Sequence, residues 1–373
     1  MIIGVPKEIK NGETRVSLNP SSVKELIDKG NTVYIQKDAG LKVGFTDDLY
    51  IQSGAKLLDK IEEVYSKSEV VVKVKEPQPE EYSLLKQGQT IITYLHLAVE
   101  PELTKILLQK KITAIAYETI QNEDGSLPLL TPMSEIAGKM SVQIGASLLQ
   151  NSEIGKGILI GGVPGVLPAD VVIVGAGVVG LNAAKVAVGM GACVTVLDIL
   201  PAKLNQVENI LGERVKTAIS NKYNLEKMCK RADILIGAVL LPGAKAPKII
   251  TQEMVKLMKP GSVIIDVAID QGGIVENISR PTTIDKPYFI EDNVLHYAVP
   301  NIPSCVGRTA TISLNNYILP YIEKLVDKGF IAAVKSTPEL YKGVNTYQGK
   351  LINPDIAKAL GVPYTELSML IGF

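Results

Sequence analysis

At 373 residues the chain is long enough for two domains, and 39 Lys and Arg against 39 Asp and Glu leave no net charge to attract a polyanion, which argues against a nucleic-acid partner. Its three cysteines, Cys193, Cys229 and Cys305, are sparse and lack Cys-x-x-Cys spacing; this fits a reducing cytoplasm and argues against a disulfide frame or a zinc site, and with no acid/His cluster in the sequence no metal is expected. No signal peptide is visible before the first strand. The longest apolar stretch, Val171 to Leu181, is glycine-broken and shorter than the ~20 residues a membrane helix needs, so no membrane partner is expected.

From the N-terminus, apolar strands alternate with helical patterns. Strands are predicted at Ile2–Val5, Thr32–Gln36, Val70–Val74, Thr90–Leu95 and Thr113–Tyr117. Helices are predicted at Ser21–Lys29, after the start signal Asn19-Pro20-Ser21, and at Thr46–Ser53, Ile61–Ser66 and Pro101–Lys110. Such alternation implies a mostly parallel sheet covered on both faces. A turn-rich loop, Asn122-Glu-Asp-Gly-Ser-Leu-Pro, closes this unit, and a long helix from Met133 to about Gln150 leads through Gly161-Gly-Val-Pro-Gly into a second one.

That second unit opens with Val171-Val-Ile-Val-Gly-Ala-Gly-Val-Val-Gly, an apolar strand breaking into a glycine-spaced turn. Gly175 permits the tight strand-to-helix turn, Gly177 lets a pyrophosphate approach the backbone, and Gly180 lets helix and strand pack closely. A helix from Val178 to about Met190 follows, its unpaired N–H groups and dipole favouring phosphate. The next strand, Ala192–Leu197, ends at Asp198, about twenty residues on, as a dinucleotide fingerprint requires. Asp198 would accept hydrogen bonds from the adenosine ribose and repel a 2′-phosphate, which favours NAD over NADP. A structural turn with a capping Asp is the plainer alternative.

Further strands are expected near Val215–Ile219, Ile234–Ala238, Val263–Val267 and Leu295–Val299, then a second long helix from about Thr309 to Lys328. The tail, with Pro338, Pro354 and Pro363, cannot form a domain alone. The expected fold class is α/β: two Rossmann-like doubly wound domains, with the NAD-binding domain at 129–306 inserted into a discontinuous substrate domain of 1–128 and 307–373. The two long helices join them, and the active site lies in the cleft.

Ligands bind at the carboxyl ends of parallel strands, and unusual polar residues fall there. Lys73 and Lys75 interrupt an apolar strand, two apart and so on one face; Lys75 could meet a substrate carboxylate or carbonyl, or snorkel at an edge. The chain has two histidines. His96 ends its strand beside Tyr94 and suits proton transfer next to a carbonyl, a packed structural ring being the rival reading; His296, just inside a strand start, reads as packed or surface. Arg15 could grip a carboxylate through two parallel hydrogen bonds, or be one more solvated loop arginine. Asp266 and Asp270 end a strand before Gly272-Gly273; a carboxylate there could orient an amine or water or hold a cationic ring, or merely form the turn.

A series of blocks runs through the chain in order: Gly12-Glu-Thr-Arg-Val, Val72-Lys-Val-Lys-Glu-Pro, Tyr94-Leu-His-Leu-Ala, Ala116-Tyr-Glu-Thr, Pro132-Met-Ser-Glu-Ile-Ala-Gly and Gly161-Gly-Val-Pro-Gly-Val. They continue as Ile236-Gly-Ala-Val-Leu-Leu-Pro-Gly-Ala-Lys-Ala-Pro, Asp266-Val-Ala-Ile-Asp-Gln-Gly-Gly and Ser279-Arg-Pro-Thr-Thr. Through these the chain resembles the alanine dehydrogenase family, which includes the NAD-binding subunit of transhydrogenase, over essentially its whole length. Ile302, Cys305-Val-Gly-Arg and the Ile274–Ile278 segment depart from the family pattern.

The resemblance implies reversible NAD-linked oxidative deamination of L-alanine to pyruvate and ammonia. Arg15 and Lys75 would bind the substrate, His96 would transfer protons, and Asp270 would be the second catalytic group. Ser134, Val178, Val179, Asp198, Lys203, Ser220, Val239, Leu240, Val267, Ala268, Ile269, Asp270, Arg280, Ala298, Val299, Pro300 and Asn301 match cofactor-contacting positions. Homohexameric assembly is also implied.

Overall fold

The computed structural model describes residues 1–151, 153–239, 246–278 and 280–372. In chain order its strands are β1 (Ile2–Val5), β2 (Thr32–Gln36), β3 (Lys56–Leu58), β4 (Val70–Val72), β5 (Thr90–Thr93) and β6 (Thr113–Ala116). Then come β7 (Asp170–Val174), β8 (Cys193–Asp198), β9 (Val215–Ile219), β10 (Ile234–Gly237), β11 (Val263–Asp266), β12 (Tyr288–Glu291) and β13 (Val294–Tyr297), and last β14 (Val344–Tyr347) and β15 (Lys350–Leu351).

These strands form two sheets, ordered β15-β14-β6-β5-β4-β1-β2-β3 and β12-β13-β11-β10-β7-β8-β9. In the first, β1 to β6 are parallel, with β14 and β15 added antiparallel at one edge. In the second, β7 to β11 and β13 are parallel and β12 is the antiparallel edge. Both parallel sets follow the doubly wound order, with the strand sequence reversing between β1 and β4 and between β7 and β10. Such reversals leave a crevice at the strands' carboxyl ends, where ligands of open α/β sheets bind.

The chain divides into a unit of Met1–Met133 with Ser304–Phe373 and a unit of Ser134–Pro303. The helix Thr131–Gln150 crosses the boundary, whereas Gly307–Lys328 lies wholly in the first unit. The tail supplies β14 and β15 to the first unit's sheet, two strands that the sequence reading did not predict. Also unanticipated were β3, β12 and the helices Pro201–Leu211, Lys222–Arg231 and Gln252–Lys256.

Period-two alternation in the second unit's strands fills both faces of the sheet. Val171, Ile173, Val194, Val196, Ile234, Ile236, Val263 and Ile265 share one core, while Val172, Val174, Leu197, Leu235 and Ile264 belong to the other. In the first unit, Val71, Ile91, Leu95, Leu103, Leu107 and Ala114 form one such core. Asn19 starts the helix Pro20–Asp28 as the sequence signal implies, its side-chain oxygen accepting from the Ser22 N–H at 2.8 Å. Among the described residues no helix is long and apolar enough to cross a membrane.

Candidate active site

In the first unit the strand order reverses between β1 and β4, and charged residues leave both ends. Lys73, 0% exposed, places its ammonium 2.9 Å from Glu81 Oε1 and 3.2 Å from Glu8 Oε2. Glu81 also accepts from the Tyr65 hydroxyl (2.9 Å) and the Gln78 N–H (2.8 Å). Glu8 Oε1 accepts from the N–H groups of Val74 (2.6 Å) and Lys75 (3.4 Å). Burial alone would lower the Lys73 pKa, but the two carboxylates outweigh it and raise it. Burial holds Glu8 above the ordinary carboxylate value, with Lys73 and the Val74 N–H opposing. Lys73 is therefore a buried structural cation. Lys75 is partly exposed, so the two lysines, placed on one face by their spacing, differ in burial. The strand stops at Val72 and the chain leaves its alternation there.

Arg15 lies on the loop after β1, and that loop is pinned by the helix Gly307–Lys328. Thr311 Oγ1 accepts from the Val16 N–H (3.2 Å), and Asn315 accepts from the Asn19 N–H (2.8 Å) while donating to the Ser17 carbonyl (2.9 Å). Arg15 is 2% exposed, not the solvated loop arginine of the plainer reading. Its Nε and Nη2 donate to the two oxygens of Glu13 at 2.8 and 2.7 Å, a bidentate fork, and Nη1 lies 3.2 Å from Met133 Sδ. Burial would lower the guanidinium pKa, but Glu13 outweighs it, so Arg15 stays charged. The fork fixes the plane of the guanidinium.

His96 follows β5 in the left-handed region (φ 52°, ψ 35°) and is 43% exposed. Its backbone N–H donates to Glu118 Oε1 at 2.6 Å, and its Nδ1 lies 3.9 Å from the same oxygen. The imidazole lies nearly parallel to the Tyr94 ring (6°, centroids 6.1 Å apart), and Tyr94 meets Tyr117 edge-on at 5.0 Å. Tyr94 donates to the Leu129 carbonyl (2.6 Å) and Tyr117 to the Lys73 carbonyl (2.9 Å), so hydroxyl bonds fix this aromatic row. Burial pushes the Tyr94 phenol up, with the Arg15 charge opposing, which keeps it protonated. Arg15, Lys75 and His96 thus follow the carboxyl ends of three neighbouring strands, β1, β4 and β5. Glu8, Glu13, Glu81 and Glu118 escaped the sequence reading. The available signal was position: Glu8 and Glu118 also follow strand ends, those of β1 and β6.

In the second unit Gly175 ends β7 with φ 108°, and a Cβ there would meet the Ala238 carbonyl oxygen at 2.6 Å. A Cβ on Gly180 would lie 1.8 Å from the Gly175 carbonyl oxygen, so helix and turn touch. Gly177 differs, since among the described residues a Cβ there meets no atom within 4 Å. Packing among the described residues does not require this glycine, and it leaves the backbone open to a ligand. Gly177 caps the helix Val178–Gly189 without any side-chain cap bond, so Val178 and Val179 open a helix whose first N–H groups are available to an anion.

Asp198, buried at the end of β8, accepts from the N–H groups of Ala176 (2.7 Å) and Leu200 (2.9 Å). It ties the glycine turn to the neighbouring strand, and each of its oxygens can accept a further hydrogen bond. Open glycine, uncapped helix start and carboxylate together fit a dinucleotide. Ser220, Val239, Val267 to Asp270 and Ala298 to Asn301 follow the carboxyl ends of β9, β10, β11 and β13, while Lys203 lies on Pro201–Leu211 and Ser134 on Thr131–Gln150. Arg280 is exposed, and Leu240 lies outside the described residues.

The two aspartates after β11 separate. Asp266 is fully buried and accepts from the N–H groups of Ala268 (3.1 Å), Ile274 (2.9 Å) and Val275 (3.2 Å), which makes it the turn-former. Asp270 is exposed and accepts from the Asn301 N–H at 3.4 Å. His296 is fully buried, stacked on Phe289 at 4.9 Å; burial lowers its pKa, with Glu291 and Asp292 opposing, so it is a packed neutral ring.

Two family models cover the chain: "Alanine dehydrogenase/PNT, N-terminal domain" over residues 4–137 and "Alanine dehydrogenase/PNT, C-terminal domain" over residues 141–354. The chain is 56% identical over 365 residues to an alanine dehydrogenase of Methanococcus maripaludis, covering 98% of each. It is 51% identical to an alanine dehydrogenase of Bacillus subtilis, covering 98% of this chain and 96% of the other. Among solved structures it is similar to an L-alanine dehydrogenase, with TM-score 0.93 and 48% identity over 97% of this chain and 99% of the other. The transhydrogenase from Sinorhizobium meliloti is more distant, with TM-score 0.80 and 26% identity over 95% and 99%.

Proposed function

The chain belongs to the alanine dehydrogenase/PNT family, and from that premise we propose how its own residues serve the reversible NAD-linked oxidative deamination of L-alanine to pyruvate and ammonia. Arg15 holds the substrate carboxylate on a guanidinium whose plane Glu13 fixes, and Lys75 binds the carbonyl oxygen. Such fixed binding lowers the barrier by orientation. NAD, held by the Gly175–Gly180 turn, the start of the helix Val178–Gly189, Asp198 and the residues after β9, β10, β11 and β13, supplies a hydride acceptor when bound. His96 and Asp270 move protons as water adds to the substrate carbon and ammonia leaves.

The observation that carries this reading is the placement of Arg15, Lys75 and His96 after three neighbouring strand ends of one sheet. Its test is oxidation of NADH that requires both pyruvate and ammonia, run beside larger 2-oxo acids. Oxidation independent of ammonia, or fastest with a larger acid, overturns it.

Homohexameric assembly is part of the same proposal. Leu159, Val163, Val166 and Leu167 are all exposed on one loop, Leu167 at 89%, which is a surface that association would cover. Sedimentation should then give a mass of about six 40.1 kDa chains. We place the enzyme in the cytoplasm, in keeping with its free cysteines Cys193, Cys229 and Cys305.

A further inference from the structure

A histidine with left-handed backbone angles is unusual, because such a conformation persists only where surrounding bonds over-determine it. At His96 the carbonyl accepts from the Val99 N–H at 3.0 Å, while the N–H side is held by a single side chain, Glu118, on the turn after β6. Its Oε1 accepts from the N–H of Leu95 at 3.1 Å and of His96 at 2.6 Å, and its Oε2 lies 3.2 Å from the Leu95 nitrogen. Two consecutive N–H groups converging on one carboxylate form an anion-holding nest, and here the protein fills it with its own acid. Leu95 is fully buried, so the pair of bonds has a fixed anchor on one side. Across the imidazole, Tyr94 is anchored through its hydroxyl to Leu129 and lies parallel to the ring.

We propose that Glu118 is a positioning residue: by capturing the Leu95 and His96 N–H groups, it holds His96 in the left-handed turn that aims the imidazole for proton transfer. This rests on the assignment of His96 to that step. At 3.9 Å, Nδ1 is beyond a direct hydrogen bond to Glu118, so the action runs through the backbone. The acceptor atom matters more than the charge, because one oxygen takes a bond from each N–H group.

Three variants separate these effects. Glu118→Gln keeps an acceptor oxygen without the charge and should retain kcat within about fivefold. Glu118→Ala removes the acceptor and should lose kcat by about tenfold or more, while KM for pyruvate, set by Arg15 and Lys75, stays within about twofold; that tenfold is the lower range for a misplaced acid–base group. Should the alanine variant not fold, Glu118→Asp withdraws the carboxylate from both N–H groups while keeping the charge, and should behave like alanine. A second readout is independent of turnover. With ¹⁵N-histidine the chain gives two amide signals, because it has two histidines. That of His96 should lie downfield in the wild type and in Glu118→Gln, and shift upfield in Glu118→Ala or Glu118→Asp. Equal turnover in wild type and Glu118→Ala, equal losses in the glutamine and alanine variants, or an unmoved His96 amide would overturn the proposal. A wild type that does not turn over pyruvate and ammonia rejects instead the function on which it rests, and the amide signal still decides whether Glu118 holds the turn.

Discussion

Gly177→Ala separates cofactor binding from folding. Among the described residues the added Cβ meets no atom within 4 Å, and the backbone there (φ −73°, ψ −167°) is open to any L residue. Replacing glycine by alanine at a helix N-cap costs under about 1 kcal/mol, and the stiffer unfolded chain returns about 0.4–1 kcal/mol. Net stability should therefore shift by less than about 1 kcal/mol, or a few degrees in Tm. In the proposed binding mode the same methyl stands where the pyrophosphate approaches the backbone, so NAD should bind at least about tenfold more weakly, roughly 1.4 kcal/mol. Gly180→Ala is the contrast, because its Cβ would lie 1.8 Å from the Gly175 carbonyl oxygen. Overpacking of about 1–3 kcal/mol or more should lower stability and affinity together. Calorimetric titration with NAD and urea unfolding read both quantities. Wild-type NAD affinity in Gly177→Ala would refute the reasoning that this glycine faces the cofactor.

Lys73→Met strands the Glu8 and Glu81 carboxylates in the interior and should cost about 3–5 kcal/mol in urea unfolding. Burial raises the Glu8 pKa and Lys73 opposes it, so removing Lys73 raises it further. Protonation then favours the folded variant more than the wild type, and the deficit should shrink as pH falls toward the ordinary carboxylate range, whereas a pH-independent deficit contradicts the shared-ammonium account. The lowered pKa of buried His296 has the opposite sign. Its stability contribution is present above the unfolded value near 6.5 and is lost as pH falls through the lowered folded value, so His296→Phe, which can stack on Phe289, should flatten the acid limb of a Tm–pH curve. Asp198→Ala leaves the Ala176 and Leu200 N–H groups without their acceptor, at about 1–3 kcal/mol, and should weaken NAD binding in the same calorimetric titration; unchanged affinity counts against the ribose contact.

Both parallel sheets were legible because Val70-Val71-Val72, Val171 to Val174 and Ile234-Leu235-Ile236 are β-branched or leucine runs between turn residues, and strands buried on two faces need such runs. The glycine turn was legible because each of its three glycines has a separate steric reason. Side-chain partnerships were not, since they form only after the strands are ordered. Glu8 and Lys73 are 65 residues apart in sequence, and Glu118 and His96 are 22 apart. Lys73 and Lys75 looked equivalent by spacing, as did Asp266 and Asp270, yet burial makes one of each pair structural and leaves the other accessible. The strand β14 was missed because it is short, antiparallel and shifted in register against β6.

The central claim, that an imidazole at the end of β5 moves protons in an NAD-linked deamination, is tested most directly by comparing wild type with His96→Ala. Ammonia-dependent reduction of pyruvate and calorimetric NAD affinity should be measured on the same preparations. The account predicts turnover lower by about two powers of ten or more with NAD affinity nearly intact. Near-wild-type turnover in His96→Ala would contradict it.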